Sequence, residues 1–367
     1  MKQRGIQFLM KKIRPTLIFT LLLSVLLIYL SGANIQYLWT DVEKIVAVGD
    51  LHGDYKNFLK ILKGTKLIDK GLHWNGGKTH LVQIGDIMDR GPEAKKILDL
   101  LMRLEIEAEE TGGKVHTLIG NHEEMNITGI AFDYEGYVTV EQFVSFLPDK
   151  YKEKKEQEFI RKKMKKSSKN SDSSSSYELR DYWKEIRNEA RSNPKHSARK
   201  AYLHNFNKTY GKWLLDKNAV IQINDIIFVH AGISEEFSTW KLDKINDRAR
   251  LELSAFRQSI IYSKPLQLRD RKIVYEPSGP FWYRDLAQRN EATFRETVDR
   301  ILHNLNAKYM IIAHTPRVIR NMRDMSRFEG RIWIVDTGIA DAYGGNLSAL
   351  IINSGEFDVW PPSLRGK

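Results

Sequence analysis

The chain has 367 residues, of which 42% are hydrophobic and 28% charged, and this balance excludes a wholly disordered protein. It contains no cysteine, which excludes a disulfide framework, a cysteine-ligated zinc or iron–sulfur site and a cysteine nucleophile. The formal net charge is +12, and most of it lies in two segments. Residues 1–14 contain five basic residues and no acidic one, and residues 149–172 contain ten basic and five acidic residues.

The first 33 residues predict a segment that directs the chain to or across a membrane. Residues 17–30 are almost wholly apolar, and residues 15–33 approach the roughly 20 residues that a bilayer span requires. The basic segment 1–14 favours a cytoplasmic N-terminus, so an uncleaved signal-anchor would place the rest of the chain on the non-cytoplasmic side. The alternative is a signal peptide cleaved after Ala33, because SGA at 31–33 is a small-x-small pattern, and the mature protein would then be secreted or periplasmic.

Short apolar runs then alternate with helical patterns, and this alternation predicts an α/β fold with a largely buried sheet. A helix is predicted over 92–110, because it opens with proline in its first turn and is followed by two glycines. The predicted strands are 43–48, 79–84, 114–119, 225–229, 309–313, 331–335 and 347–352.

Residues 149–200 interrupt this pattern and predict a Lys/Ser-rich insertion, part helical and part disordered. The serine-rich run 167–176 is typical of a flexible loop. The basic run 150–169 is interpreted as a solvated helix face, with anionic lipid or nucleic acid as the alternative ligands. Nucleic acid is not expected as a partner, because aromatic residues are not interleaved in the strongest part of the run.

Five polar clusters follow predicted strands, and the carboxyl ends of strands are where an α/β sheet collects ligand-binding groups. Carboxylate, imidazole and amide ligands together suit Mn, Fe or Zn. Arg90, beside a carboxylate, offers a planar fork for phosphate. The clusters are GDLHG at 49–53, GDIMDRG at 85–91, GNHE at 120–123, VHAG at 229–232 and AHT at 313–315.

In this order, GDLHG, GDIMDRG and GNHE resemble the signature blocks of the calcineurin-like metallophosphoesterases, phosphoprotein phosphatase branch. NDIIFVHAGI, GPFWYRD at 279–285 and VDTG at 335–338 are similar to the Shewanella-like protein phosphatases. The resemblance implies a metallophosphoesterase domain over 41–360, interrupted by the insertion. The fold it implies is an α/β sandwich of two mixed β-sheets flanked by helices.

The resemblance also implies two divalent metal ions, Mn first and Fe or Zn as alternatives, which activate a hydroxide for attack on phosphorus. The implied metal ligands are Asp50 and His52 for the first ion, Asp86 as the bridge, and Asn121, His230 and His314 for the second. The implied catalytic groups are His122 as general acid, Asp89 as its orienting partner, Arg90 as phosphate ligand and Arg284 as a candidate second phosphate clamp.

Three other residues near these blocks have simpler interpretations. Asp54 is interpreted as the N-cap of the following helix. Asp336 and Tyr343 fall near a predicted strand end, where they either line the pocket or form a turn.

These roles predict a metal-dependent phosphomonoesterase, and most simply a protein phosphatase. The resemblance adds a preference for phosphotyrosine. Hydrolases of diadenosine polyphosphates and other small phosphoesters share the same metal blocks, so that function stays open. A third hypothesis is a membrane-tethered scaffold with a vestigial metal site. The expected partners are therefore a phosphoprotein or a small phosphoester, and a membrane through the N-terminal segment.

Overall fold

The computed structural model of the protein describes residues 35–167, 178–263, 266 and 273–365. Its strands and helices belong to one unit that begins at Tyr37. The strands in these ranges are β1 Leu38–Trp39, β2 Lys44–Val48, β3 His80–Gln83, β4 Lys114–Thr117, β5 Val220–Ile223, β6 Ile226–Val229, β7 Tyr309–Ile312, β8 Ser326–Arg327, β9 Ile332–Ile334, β10 Ala349–Asn353 and β11 Glu356–Trp360.

The helices cover the faces of the sheets, and several begin just after a strand. The helices in the described ranges are α1 Tyr55–Gly64, α2 Ala94–Glu110, α3 Asn121–Thr128, α4 Val140–Phe146, α5 Asp149–Ser167, α6 Leu179–Ser192, α7 Ser197–Leu214, α8 Glu235–Ser238, α9 Leu242–Tyr262, α10 Asp285–Gln288 and α11 Glu291–Asn304. Short 3₁₀ turns occupy Ile130–Asp133, Met322–Met325, Asp341–Tyr343 and Pro362–Arg365.

The strands form two mixed sheets, as the resemblance predicted. One sheet has the order β1-β5-β6-β7-β9-β8 and the other the order β11-β10-β2-β3-β4. In the second sheet β2, β3 and β4 are parallel, whereas β10 is antiparallel to β2. In the first sheet β6, β7 and β9 are parallel. The strands that precede the five polar clusters therefore run parallel to one another within each sheet: β2, β3 and β4 in the second sheet, and β6 and β7 in the first.

These strands have continuous apolar sequences because both faces of each sheet are buried. Along β2, Val46 and Val48 pack in the cluster that includes the helices, whereas Ile45 and Ala47 pack with residues of the other sheet. All four are fully buried. Complete burial of one such large aliphatic side chain contributes about 1.5–3 kcal/mol, so this layer holds the sheets together.

The seven predicted strands and the helix over 92–110 are present, with ends that differ by one or two residues. Strands β1, β5, β8 and β11 were not predicted. They have two to five residues. Three of them are edge strands and β5 lies next to an edge, where the neighbouring strand rather than a local pattern determines pairing.

The insertion is helical on both sides of its serine-rich run. Helix α6 buries Tyr182, Trp183 and Ile186, and it packs against α4 and α7. Residues 168–177, which contain most of the serine-rich run, lie outside the described residues.

The predicted basic segment 1–14 and apolar segment 15–33 also lie outside the described residues. Across the ranges given above, every helix is too short or too polar to span a bilayer.

Candidate metal centre

The ten residues named above as ligands or catalytic groups converge at the carboxyl ends of the parallel strands. Eight of them line one cavity of about 260 Å³: Asp50, His52, Asp86, Arg90, Asn121, His122, Arg284 and His314. The other two, Asp89 and His230, are fully buried and make hydrogen bonds to residues of the lining. Five residues outside that set complete the wall: Tyr137, Trp282, Pro316, Asp336 and Tyr343.

The loops that carry these side chains adopt unusual backbone conformations. Left-handed φ values occur at His52 (41°), Asp86 (53°), Asp89 (69°), Arg90 (69°) and His314 (65°). Such conformations cost free energy at non-glycine residues and collect at functional sites. At Gly85, where φ is 82°, an added Cβ would lie 2.5 Å from Gly120 N, so only glycine fits there.

A buried glutamate holds the loop after β3 in place. Glu123 Oε2 accepts hydrogen bonds from Asp86 N at 2.8 Å and Gly120 N at 2.9 Å, and Oε1 accepts one from Ile87 N at 2.9 Å. Burial and the charge of Asp86 raise the pKa of Glu123 to about 6. The sequence offered a signal for this role, because Glu123 ends the GNHE block, but no role was predicted for it.

One group of potential ligand atoms surrounds His230 Nε2. Asn121 Oδ1 lies 3.0 Å from it, His314 Nδ1 3.2 Å and Asp86 Oδ1 3.3 Å. His230 Nδ1 is 2.7 Å from the carbonyl oxygen of Ile84. A carbonyl only accepts, so Nδ1 carries the proton and Nε2 keeps its lone pair for a ligand.

The spacing in this group fits a metal ion. Ligands at about 2.0–2.2 Å from one ion lie roughly 3 Å or slightly more from each other. The three distances from His230 Nε2, 3.0–3.3 Å, meet that condition. The chemistry of the four groups, one carboxylate, one amide oxygen and two imidazoles, is also that of a divalent transition-metal site.

A second group contains His52, Asp86 and His122, whose potential ligand atoms lie within 4.8 Å of one another. His52 Nδ1 is 3.1 Å from Met88 O and therefore donates to it, which leaves Nε2 free. His52 Nε2 lies 3.9 Å from both Asp50 Oδ2 and Asp86 Oδ2. Asp86 is thus common to both groups, in the position predicted for a bridging ligand.

Three buried carboxyl groups concentrate negative charge in this cavity. Asp336 is hydrogen-bonded to Asp50 through their side chains, and burial together with the charges of Asp336 and Asp86 raises the pKa of Asp50 well above its ordinary value. Burial raises the pKa of Asp336 to about 6. Burial also opposes ionisation of Asp86, but His230 and His122 outweigh it and hold the pKa of Asp86 well below its ordinary value. Such a cluster favours a bound cation.

His122 and Asp89 form a buried pair. His122 Nδ1 lies 2.8 Å from Asp89 Oδ2, and its Nε2 is 3.9 Å from Asp86 Oδ2. Burial opposes protonation of His122, but the charge of Asp86 and the hydrogen bond to Asp89 outweigh burial and raise the pKa of His122.

Two further residues hold Asp89 and a third holds both of them, and none of the three was predicted from the sequence. Asp89 Oδ1 accepts from Gln142 Nε2 at 2.7 Å and from Asn126 Nδ2 at 3.0 Å. Tyr202 Oη donates to Asn126 Oδ1 at 2.8 Å. Gln142 and Tyr202 come from helices α4 and α7, and no local motif indicates that they meet the polar blocks.

The two arginines are held differently. Arg284 Nη1 donates to His314 O at 2.8 Å and to Thr315 Oγ1 at 3.0 Å. Arg90 instead has its guanidinium carbon 4.1 Å from the centre of the Tyr137 ring.

Comparison with known proteins identifies similar chains. The model of the family described as calcineurin-like phosphoesterase matches residues 43–318. Shewanella-like protein phosphatase 2 of Arabidopsis thaliana is 35% identical over 225 residues, which cover 59% of this chain and 53% of that protein. Shewanella-like protein phosphatase 1 of Plasmodium berghei is 25% identical over 304 residues, 81% of this chain and 67% of that protein.

A solved structure has the same fold. The cold-active protein-tyrosine phosphatase of a psychrophile Shewanella sp. superposes with a TM-score of 0.59 at 24% identity, covering 90% of this chain and 84% of that one.

Proposed function

The chain belongs to the calcineurin-like phosphoesterase family and is a phosphatase, and from this premise we propose that it removes phosphate from phosphoproteins with the help of two divalent metal ions. One observation supports this function most directly. Asp86 is common to two groups of ligand atoms in a cavity that also contains Arg90 and Arg284.

The proposed ligands of the first ion are Asp50, His52 and Asp86, and those of the second are Asp86, Asn121, His230 and His314. When bound, the two ions supply Lewis acidity and a nucleophile at neutral pH. The ions are Mn²⁺ in this proposal, with Fe or Zn as the alternatives that the same donors accept.

His122 acts as the general acid. Asp89 accepts the hydrogen of Nδ1, so the proton that His122 transfers is the one on Nε2, the nitrogen nearer Asp86. The raised pKa of His122 favours the protonated imidazole, which a general acid needs when the alcohol or phenol oxygen leaves. No covalent intermediate is required, which agrees with a chain that lacks cysteine.

The two arginines bind the phosphate oxygens. Arg284 uses Nη1 for His314 O and Thr315, and its other donors are directed to the substrate in this proposal. Phosphate carries its charge on several oxygens, and guanidinium groups match that geometry better than ammonium groups do.

The substrate side chain is proposed to be phosphotyrosine. Three aromatic residues, Tyr137, Trp282 and Tyr343, form part of the cavity wall and give it an aromatic lining that suits a phenyl ring. A neighbour with the same fold, the Shewanella enzyme, is a protein-tyrosine phosphatase, which agrees with this preference.

We also propose that residues 15–33 anchor the protein, with its phosphatase domain on the non-cytoplasmic side. The mature N-terminus of the full chain expressed in cells distinguishes an anchor from a secreted form. A chain that begins after Ala33 contradicts the anchor.

Hydrolysis of p-nitrophenyl phosphate by the full chain tests the function. We expect turnover with Mn²⁺ and none after chelation. Asp86→Asn should weaken both metal sites, because Asp86 is a proposed ligand of both ions. We expect kcat to fall by more than the roughly 100-fold that is lost when a group that only hydrogen-bonds to a metal ligand is removed. Asp225→Asn, which changes a surface carboxylate paired with Lys308, is the matched control and should retain activity.

Phosphotyrosine and phosphoserine peptides of one sequence then test the preference, which predicts a higher kcat/KM for the first. A folded, metal-loaded protein without turnover of any monoester contradicts the proposed function. It would favour a dinucleotide-type substrate or a scaffold.

A further inference from the structure

Two tyrosine rings flank the guanidinium group of Arg90. Its Cζ lies 4.1 Å from the centroid of the Tyr137 ring and 5.7 Å from that of the Tyr343 ring. The backbones of Arg90 and Tyr137 are also hydrogen-bonded, because Arg90 N donates to Tyr137 O at 2.8 Å. Both tyrosines line the cavity with Arg90.

Arg90, which is half-buried, differs from two buried arginines of this protein. Arg199 pairs with Asp133 at 3.0 Å, and Arg327 pairs with Glu291 at 3.2 Å. Among the described residues, Arg90 has no such carboxylate partner, and its Nε is buried without a hydrogen bond. A carboxylate would compete with phosphate for the N–H groups. An aromatic face attracts the cation through its π electrons and leaves those N–H groups at the edge of the guanidinium free.

Each tyrosine also contacts a histidine of the cavity. The Tyr137 ring lies 4.8 Å from the His122 ring. The Tyr134 ring stacks on the Tyr137 ring at 4.9 Å. The Tyr343 ring lies 5.0 Å from the His52 ring. The two rings are therefore fixed relative to the histidines as well as to the arginine.

The loop that carries Tyr343 is anchored to the start of α1. Asn57 Nδ2 donates to Ile339 O at 2.9 Å, and Asp341 N donates to Asp54 Oδ2 at 2.9 Å. Asp54 also accepts from Asn57 N at 2.9 Å, which confirms it as the N-cap of α1. At Gly338, with φ of 73°, an added Cβ would lie 2.6 Å from Tyr343 O, so the turn is closely packed.

We propose that Tyr137 and Tyr343 are positioning residues that hold the Arg90 guanidinium between their rings, so that it binds phosphate without first breaking an ion pair. The proposal rests on the proposed function, because it assigns Arg90 to the phosphate. It concerns two residues that contribute no charge and to which the five polar blocks assign no role.

Binding of inorganic phosphate to the metal-loaded full chain, measured by titration calorimetry, tests the proposal independently of turnover. We expect Tyr343→Leu and Tyr137→Leu each to weaken phosphate binding by about 3- to 30-fold, the range of a partly buried cation–π contact. Tyr343→Phe keeps the ring and should bind phosphate as the wild type does. In turnover assays the leucine variants should raise KM more than they lower kcat.

A double-mutant cycle separates positioning from a general structural effect. In an Arg90→Ala background, Tyr343→Leu should cause no further loss of phosphate binding, because the ring acts through Arg90. Tyr262→Leu removes a 62% exposed tyrosine at the end of α9 and is the control for loss of a tyrosine. Metal content and thermal midpoint are measured for every variant, so that a damaged metal site is recognised.

Unchanged phosphate binding in both leucine variants would overturn the proposal, as would additive losses in the Arg90→Ala background. Absence of phosphate binding by the metal-loaded wild type would also overturn it. If the wild type binds phosphate and the cycle behaves as expected but no monoester is hydrolysed, the proposed function fails and the positioning role stands.

Discussion

At the scale of single residues, the hydrogen bonds of Asp89 determine the chemistry available to His122. Asp89 accepts from His122, Gln142 and Asn126, and all four side chains are buried. Donors therefore surround the carboxylate on both oxygens. This arrangement keeps the proton of the imidazole on Nδ1 and leaves Nε2 directed to the cavity.

Asp89→Asn should reduce catalysis in a way that depends on the leaving group. The amide places an N–H where the native carboxylate accepts, which misorients His122 and leaves a buried donor unpaired at a cost of about 1–3 kcal/mol. We expect kcat to fall by about 100-fold for phenyl phosphate. The decrease in kcat should be smaller for p-nitrophenyl phosphate, because p-nitrophenolate is a good leaving group and needs no proton.

His122→Asn is the comparison for this prediction. It should show the same dependence on the leaving group, and the double variant should be no worse than the worse single variant, because the two residues act as a unit. Equal losses with both substrates would remove His122 from the role of general acid.

At the scale of elements, helix α9 determines where one wall of the cavity lies. Glu252 on α9 is fully buried and accepts from Val274 N at 3.0 Å and Ile273 N at 3.2 Å. Trp282 Nε1 in turn donates to Val274 O at 2.8 Å. Segment 273–284 carries Trp282 and Arg284 into the cavity. It is thus hydrogen-bonded to a helix that lies outside the polar blocks.

Glu252→Ala should release this segment. Two backbone N–H groups lose their acceptor, so we expect a loss of about 1–3 kcal/mol in the free energy of unfolding. KM should rise several-fold with a smaller change in kcat, because the substrate contacts proposed for Trp282 and Arg284 are affected before the proposed metal ligands are.

Steady-state kinetics and urea unfolding check this prediction. Glu296→Ala changes an exposed glutamate on α11 and should stay within about 0.5 kcal/mol of the wild type. A Glu252→Ala variant with native KM would show that the segment is held by other contacts.

At the scale of the whole molecule, two buried histidines lie between the two sheets, at the end of β3 away from the candidate metal centre. His116 Nε2 lies 3.0 Å from His80 Nδ1, and the His116 ring contacts Trp39 of the other sheet at 4.4 Å. Burial and the charge of Lys114 lower the pKa of His80 to about 4. Burial, His80, Lys114 and Lys217 hold the pKa of His116 well below its ordinary value.

Stability should therefore decrease as the solution becomes acidic. Below pH 6.5 the unfolded chain takes up protons at these histidines that the folded chain excludes, so the free energy of unfolding falls as the pH drops from 6.5 towards 4. We expect the urea midpoint of the His80→Asn/His116→Asn variant to depend less on pH than that of the wild type in this interval.

Metal-free protein is used for this comparison, so that metal loss does not contribute to the pH dependence. His303→Asn, a change at an exposed histidine, is the control. Parallel pH curves for the wild type and the double variant would show that the buried pair does not cause the loss.

Local sequence was sufficient for the parts of this protein that depend on neighbouring residues. A continuous apolar run predicts a strand buried on both faces, and a polar block directly after it predicts a group at the sheet edge. The order of GDLHG, GDIMDRG and GNHE then indicated the family and the two-sheet fold. The helix over 92–110 was equally clear from its proline and glycine boundaries.

Tertiary structure decided what depends on residues far apart in the chain. Asp336 meets Asp50, Gln142 meets Asp89, and Tyr343 meets His52 only because packing of the sheets and helices brings separate loops together. Neither a short motif nor a periodicity marks such pairs, since their positions follow from the burial of other residues. The sequence by itself therefore determined the family, seven of the strands and the candidate ligands, whereas only the folded chain decided which side chains outside the polar blocks hold those ligands in place.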